Sequence, residues 1–255
     1  NGALQIQDIL NRSVDSATQA SSFIGAGRAI ATYAELKPAD IYLIAAPDDQ
    51  IERCCEELAQ TGKLSANSIV FHCSGALSSS VLQTARQRGA SIASIHPIRS
   101  FASPEKVVQN FAGTFCGVEG GQHALEVLQQ AFTAIGAQLV PIKADAKILY
   151  HAAAVFSSNY LVTLLDVAQQ SYIQAGIAPD VALKLIEPLM LETADNVSRF
   201  GTETALTGPI ARGDIATAEK QLHAGAEWNP AYASLYEQFM KLTVDLAARR
   251  DNRKN

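Results

Sequence analysis

The sequence is poor in the features that would send it to other protein classes. Its 255 residues include four cysteines, one tryptophan and two methionines. Cys54, Cys55, Cys73 and Cys116 show no C-x-x-C spacing, and two of them are adjacent, a geometry that almost never pairs with itself. They read as reduced packing residues of a cytoplasmic protein. Positive charge is not in excess: 20 Lys and Arg against 25 Asp and Glu leave a net charge of −5. Neither nucleic acid nor an anionic membrane surface is therefore an expected partner. The one basic cluster, Arg249, Arg250, Arg253 and Lys254, reads as a solvated C-terminus. No apolar run approaches the ~20 residues of a membrane span, and no signal peptide is visible. There is no repeat of fixed period. No H-x-x-x-H or C-x-x-C spacing calls for a metal, so none is expected. An initiator Met is also missing, since the sequence opens Asn1-Gly2-Ala3-Leu4.

What is present is core material. Hydrophobic residues make up 48%, and sixteen Gly with nine Pro exclude a collagen-like or low-complexity chain. The first half alternates β-patterned runs with amphipathic stretches, the rhythm of a parallel sheet with helical crossovers. Strands are expected at 4–10, 41–46, 68–73, 91–95, 114–118 and 138–142, with helices at 15–23, 49–61, 77–88 and 122–135. Beyond about residue 143 strand signals stop, and helices are expected at 144–175, 179–200, 214–226 and 230–249. The reading is a Rossmann-like α/β domain over 1–142 followed by an all-helical domain over 143–255.

Gly25-Ala26-Gly27-Arg28-Ala29-Ile30 begins like a dinucleotide-binding G-x-G-x-x-G turn. Ile30 stands where a third Gly or Ala is needed, and a helical stretch precedes it instead of a strand. The segment reads as a helix C-terminus followed by a loop. More informative is the strand ending in Asn11-Arg12-Ser13. In a dinucleotide fold the second strand ends at the adenosine ribose, where an Arg accommodates the 2′-phosphate of NADP. If 4–10 is that second strand, the first strand and its glycine turn, about 20 to 30 residues, precede Asn1.

Ligands of open α/β sheets collect at the carboxyl ends of strands. Three expected strands end in polar loops there: Ala46-Pro47-Asp48, His72-Cys73-Ser74-Gly75, and His96-Pro97. The helix opening the second half carries Lys147 and His151 at i and i+4 on one face, with Asn159 two further turns from His151, about 80° around and still able to face the same cleft. A polar ridge on an otherwise apolar helix calls for a polar cavity. Last, Ala205-Leu206-Thr207-Gly208-Pro209-Ile210-Ala211-Arg212-Gly213-Asp214 interrupts two helices, and Asp214 is placed to cap the second.

In order, N-R-S, P-D-D, H-x-S-G-A, H-P-x-x-x-F, K-x-x-x-H-x-A-A-x-x-x-S-N and A-L-T-G-P-x-x-R-G-D resemble a bacterial family of NADP-binding Rossmann-like proteins. That family's C-terminal helical domain has no assigned function. The resemblance runs from about residue 4 to 246. It implies a C-terminal domain similar to the 6-phosphogluconate dehydrogenase type, and kinship with deazaflavin-dependent NADP reductases and pyrroline carboxylate reductases. In such relatives the helical domain commonly makes a homodimer. In related hydroxyacid dehydrogenases a Lys on this helix moves protons, with an Asn four residues later; here His151 takes the place of that Asn.

The resemblance implies an NADP-dependent oxidoreductase acting on a small-molecule C=O or C=N bond, with His151, Lys147 and Asn159 as catalytic residues. Asn11, Arg12, Ser13, Ala46, Pro47, Asp48, Ser74 and Gly75 are expected at the cofactor, and His96, Pro97, Thr207, Arg212 and Asp214 at the substrate. The alternative is a non-catalytic NADP-binding or regulatory protein with the same fold.

Overall fold

The computed structural model describes residues 2–252. Contacts group 1–159 as one compact unit and 160–255 as a second. In the first unit, β1 (Asp8–Leu10) leads through α1 (Val14–Ile24) to a parallel partner, β2 (Arg28–Ile30). Local chemistry defines α1: the Ser13 hydroxyl accepts from the Ser16 amide at its start, and Gly25 closes it in the left-handed region at φ 77°. The Gly25–Gly27 segment is thus a helix end, as its sequence suggests. Strand β2 begins directly after it, and the loop expected there is corrected. Only three residues long, β2 is held by register with β1, and its Arg28 forms an ion pair with Asp8 at 2.9 Å. Such pairing is not visible in local sequence.

A five-stranded sheet comes next, in the order β3 (Ile41–Ile44), β4 (Ile69–His72), β5 (Ser91–Pro97), β6 (Phe115–Gly120), β7 (Gln138–Pro141). β3, β4 and β5 run parallel. β6 is antiparallel to β5 and parallel to β7, so the sheet is mixed where an all-parallel one was expected. Among the described residues, β1 and β3 each keep one edge without a strand partner.

Helices α2 (Asp48–Gln60), α3 (Gln83–Gln87) and α5 (Gln122–Ala134) cover the sheet, and a short α4 (Pro104–Gln109), not anticipated, lies between β5 and β6. The expected helix at 77–88 is a 3₁₀ turn over Ser79–Leu82 followed by α3. Two apolar layers result. One packs Ile51, Cys55 and Leu58 of α2, at helical spacing, against Tyr42, Ile44 and Val70. The other packs Ala124 and Leu128 of α5 against Ile69, Phe71, Ile95 and Val118, with Phe132 edge-on to Phe71 at 6.0 Å. β4 is buried throughout, which accounts for its unbroken apolar run Ile69-Val70-Phe71.

The helix expected across 144–175 is broken. α6 (Lys147–Ser157) ends where Ser158 leaves helical geometry at φ −130°, ψ −68°, and α7 (Asn159–Gln174) begins afresh. α6 groups with the α/β unit, so the division falls beyond the helix that was expected to open the second domain. The expectation of no span-length apolar stretch is also corrected: 144–174 is long and apolar enough by composition. The break at Ser158 and the burial of Lys147 at its head are not the geometry of a spanning helix.

The second unit is helical. α8 (Pro179–Ala205) kinks at Gly201, and α9 (Ile215–Trp228) and α10 (Pro230–Asn252) pack together through Tyr236 Oη to Gln221 Oε1 at 2.7 Å. Arg250 donates to the Ala211 carbonyl at 2.9 Å, tying α10 to the α8–α9 turn.

Leu128 is fully buried in the second apolar layer. Leu128→Ala is expected to lower unfolding free energy by about 2–5 kcal/mol in urea titrations, the range for a large-to-small change at a closed site.

Candidate functional site

The carboxyl ends of β3, β4 and β5 and one face of α6 come together in the first unit. Lys147 is the anchor. It is 1% exposed, and its Nζ donates to the Ser74 carbonyl at 2.8 Å and to Ser94 Oγ on β5. Burial lowers its pKa to about 8, and the Glu119, Cys73 and Asp48 charges offset only part of that. Glu119, opposite Ser94 in the β5–β6 register, is itself buried. Its oxygens accept from the Ser79 amide at 2.6 Å and the Ser79 hydroxyl at 2.8 Å.

One turn along α6, Tyr150 Oη lies 2.9 Å from His96 Nδ1. His151, next in sequence, stands edge-on to His96 with ring centroids 5.7 Å apart. Both imidazoles meet over Gly75. A Cβ there would fall 2.8 Å from His96 Cε1, 2.9 Å from His96 Nε2, and closer still to His151 Nδ1. Gly117 performs the same service for Tyr150, because a Cβ at that position would collide with the phenol oxygen. His151 Nδ1 is buried without a hydrogen-bond partner, an orphaned polar atom pressed on the Gly75 backbone.

The two strand-end histidines have different roles. His72, fully buried, spans its own turn: Nδ1 accepts from the Ser74 amide at 3.1 Å while Nε2 faces the Ser78 carbonyl at 3.3 Å. It is a structural imidazole. His96 is partly exposed beside Pro97 and faces His151.

The other residues expected at the site are spread more widely. The Ser74 hydroxyl donates to Asp48 at 2.9 Å and accepts from the Ala76 and Leu77 amides, so it shapes the turn. Ala46 and Pro47 lead into α2 beside Asp48. Asn11 Oδ1 accepts from the Arg12 amide at 2.9 Å, Ser13 caps α1, and Arg12 is exposed at the end of β1. Asn159 opens α7 beyond the Ser158 break, so its helical phase with His151, expected from an unbroken helix, is corrected.

Thr207, Arg212 and Asp214 lie in the second unit. There Gly208 and Gly213 take φ of 95° and 78°, and Asp214 caps α9 by accepting from the Thr217 amide at 3.1 Å. Hydrogen bonding from Thr217 and the Arg212 charge hold the Asp214 carboxyl below its ordinary range. Among the described residues no metal-binding cluster of His, Cys, Asp and Glu forms.

Sequence reasoning overlooked Tyr150, Ser94 and Glu119. Tyr150 was signalled by its i+3 spacing from Lys147. Ser94 and Glu119 become visible only through strand register.

Residues 114–243 match the family described as a domain of unknown function, DUF2520, and residues 5–97 match a Rossmann-like domain. The chain belongs to the DUF2520 family. Among solved structures, this DUF2520 protein is similar to protein TM1727 of Thermotoga maritima, with 28% identity over 98% of this chain and 93% of that one, at a TM-score of 0.77. It is similar in fold to BF3122 of Bacteroides fragilis, described as a candidate NADP oxidoreductase. That match has 20% identity, a TM-score of 0.72, and covers 94% of this chain and 88% of the other. A pyrroline-5-carboxylate reductase of Coxiella burnetii shares the fold at 18% identity and a TM-score of 0.56, over 94% of this chain and 87% of its own. No curated protein matches.

The site has a pH signature. Burial, with the Lys147 charge, lowers the His72 pKa to about 4; burial, His151 and Lys147 do the same to His96. The unfolded chain takes up these protons near the ordinary 6.5, so stability from both groups is full above pH 6.5 and lost as pH falls toward 4. Lys147 stays charged across that window. Urea midpoints measured from pH 7 to 4 are expected to drop for the wild type and to drop less for His96→Gln.

Proposed function

We propose that this DUF2520 protein is an NADP-dependent oxidoreductase acting on the C=O or C=N bond of a small molecule. The observation that carries the reading is the convergence of His96, Tyr150, His151 and Lys147 around Gly75, at the strand ends where ligands of open α/β sheets bind. A buried orphan nitrogen and a buried amine in one cluster are the mark of a working site more than of a packed core.

The donor set fits part of NADP. The exposed Arg12 at the end of β1, beside Asn11 and Ser13, suits a 2′-phosphate through a charge-assisted, bidentate contact. The turns at Ala46-Pro47-Asp48 and Ser74-Gly75 are assigned to the rest of the dinucleotide, because both follow the carboxyl ends of strands. Gly25 caps the end of α1 and Gly27 packs against Ile6 and Ile9, so neither is assigned to a phosphate.

Bound nicotinamide supplies or receives the hydride. The side chains do the rest. His151 hydrogen-bonds the reacting heteroatom and passes it the proton, while Lys147, covered by Ser74 and Ser94, keeps α6 seated and sets the local charge. In the helical unit, Arg212 is assigned to a substrate carboxylate or phosphate, with Thr207 and Asp214 as further polar groups there. Asn159, the last residue of the first unit, is assigned as a further polar group for the substrate.

Full-length protein, screened with NADPH against oxo acids, aldehydes and imines at the nicotinamide absorbance, is expected to turn over one of these classes. His151→Ala should cut that turnover by ~10²-fold or more. Tight NADPH binding with no turnover on any class would instead favour a non-catalytic NADP-binding protein. We also assign a cytoplasmic location, supported by four unpaired cysteines.

A homodimer through the helical unit is supported by exposed apolar side chains there, among them Leu189, Leu191, Phe200 and Leu242. Sedimentation equilibrium is expected to return twice the chain mass; a monomer at micromolar concentration would remove this assignment.

A further inference from the structure

We propose that Glu119 is the buried counter-charge of Lys147 and a positioning residue of the site, holding the ammonium, and through it the head of α6, on the sheet. The pairing is a property of the fold. Its part in catalysis rests on the oxidoreductase reading.

Among the described residues, Lys147 at 1% exposure and Glu119 at 6% are the buried members of the Lys, Arg, Asp and Glu set. They are one cation and one anion. An ion taken out of water alone is strongly destabilising, whereas two of opposite sign in one hydrogen-bonded network offset each other.

Strand register brings the two together. Ser94 on β5 stands directly opposite Glu119 on β6, and opposed residues put their side chains on the same face of a sheet. The Ser94 hydroxyl oxygen accepts from Lys147 Nζ. One serine therefore touches the ammonium and adjoins the carboxyl group. Both Glu119 oxygens are acceptors, Oε1 from the Ser79 amide at 2.6 Å and Oε2 from the Ser79 hydroxyl at 2.8 Å, which is the role of a carboxylate. Held this way, Glu119 leaves Nζ to its acceptors on two segments, the Ser74 carbonyl and Ser94.

The other groups around the pair are not equivalent to Glu119. Burial pushes the Cys73 thiol, after β4, up to about 12, so it carries no charge where Lys147 titrates. His72 and His96, lowered to about 4, are neutral there. Asp48, at the start of α2, is exposed and screened by water. Arg86 of α3 lines the same groove as Glu119 and is likewise exposed. Burial brings Lys147 down to about 8, and Glu119 comes first among the charges that oppose the fall.

Lysine side-chain ¹³C–¹⁵N spectra of the full chain, recorded without cofactor, read the pair directly. At pH 8, Glu119→Gln is expected to give Lys147 a ratio of ammonium to amine about tenfold below the wild type, the effect of losing one close opposite charge. Ser79→Ala removes a hydrogen bond from Glu119 and leaves its charge, so Lys147 should titrate there as in the wild type. Equal titration in Glu119→Gln and wild type overturns the proposal. So does a fall in Ser79→Ala as large as in Glu119→Gln, because the effect is then one of local packing. Where Glu119→Gln does not fold, the wild type decides: the Glu119 carboxyl ¹³C resonance is expected to inflect at the pH where Lys147 loses its proton, and a flat trace overturns the pairing.

Turnover supplies the second readout. Wild-type activity with NADPH is expected to fall on the alkaline side as Lys147 loses its charge, and Glu119→Gln to move that fall to lower pH. An alkaline limb unmoved by the substitution overturns the positioning role and leaves the oxidoreductase standing. Turnover of no substrate class in the wild type removes the oxidoreductase reading, and the spectra then decide the pair by themselves.

Discussion

The site depends on one buried cation. An ammonium taken out of water must recover its hydrogen bonds from the protein or lose its charge. Lys147 does some of both: it donates to Ser74 and Ser94, and its pKa falls to about 8. Its acceptors lie on two different segments, the turn after β4 and the middle of β5, so satisfying the amine fixes the start of α6 above both. The consequence reaches one turn further. With Lys147 seated, positions i+3 and i+4 of the same helix, Tyr150 and His151, have only one place to go, and that place is over Gly117 and Gly75.

Acids counterbalance it. Glu119 faces Ser94 across the β5–β6 pair, and Asp48 reaches the Ser74 turn from the start of α2. Neither forms an ion pair with Lys147 among the described residues; each is held by serine hydroxyls or amides instead. The arrangement spreads one positive and two negative groups through a network whose hydrogen bonds are made by neutral serines. Such a network holds its members at fixed separations, and the depressed His72 and His96 values result from burial beside it.

Much of this was legible in the order of residues. Alternating patterns located six of the seven strands within a few positions, because buried strands such as Ile69–His72 announce themselves as apolar runs closed by polar loops. The polar ridge at 147–159 called for a polar cavity; the structure buries Lys147 among polar partners and ends α6 before Asn159. Three features escaped for physical reasons. β2 is a three-residue strand held by its neighbour, with no period long enough to read. The Ser158 break falls in Ser157-Ser158-Asn159, a polar triplet without Gly or Pro, whose weak turn signal is outweighed by the helical pattern on either side. The reversal of β6 is a tertiary choice that composition does not encode.

Two glycines connect the backbone to the chemistry. Neither needs a left-handed backbone; each is required because something must lie where a side chain would begin. At Gly117 the something is a phenol oxygen, and at Gly75 it is a pair of imidazoles. A methyl at either position forces out the ring above it, and the rings are linked, since Tyr150 holds His96 and His96 faces His151. The cluster is consequently cooperative: an alanine at position 117, two strands away from Gly75, would disturb the same imidazoles as one at position 75. The fold is shared with proteins only 18–20% identical, whereas this placement depends on two particular residues, where the absence of one carbon decides how closely a ring approaches the backbone.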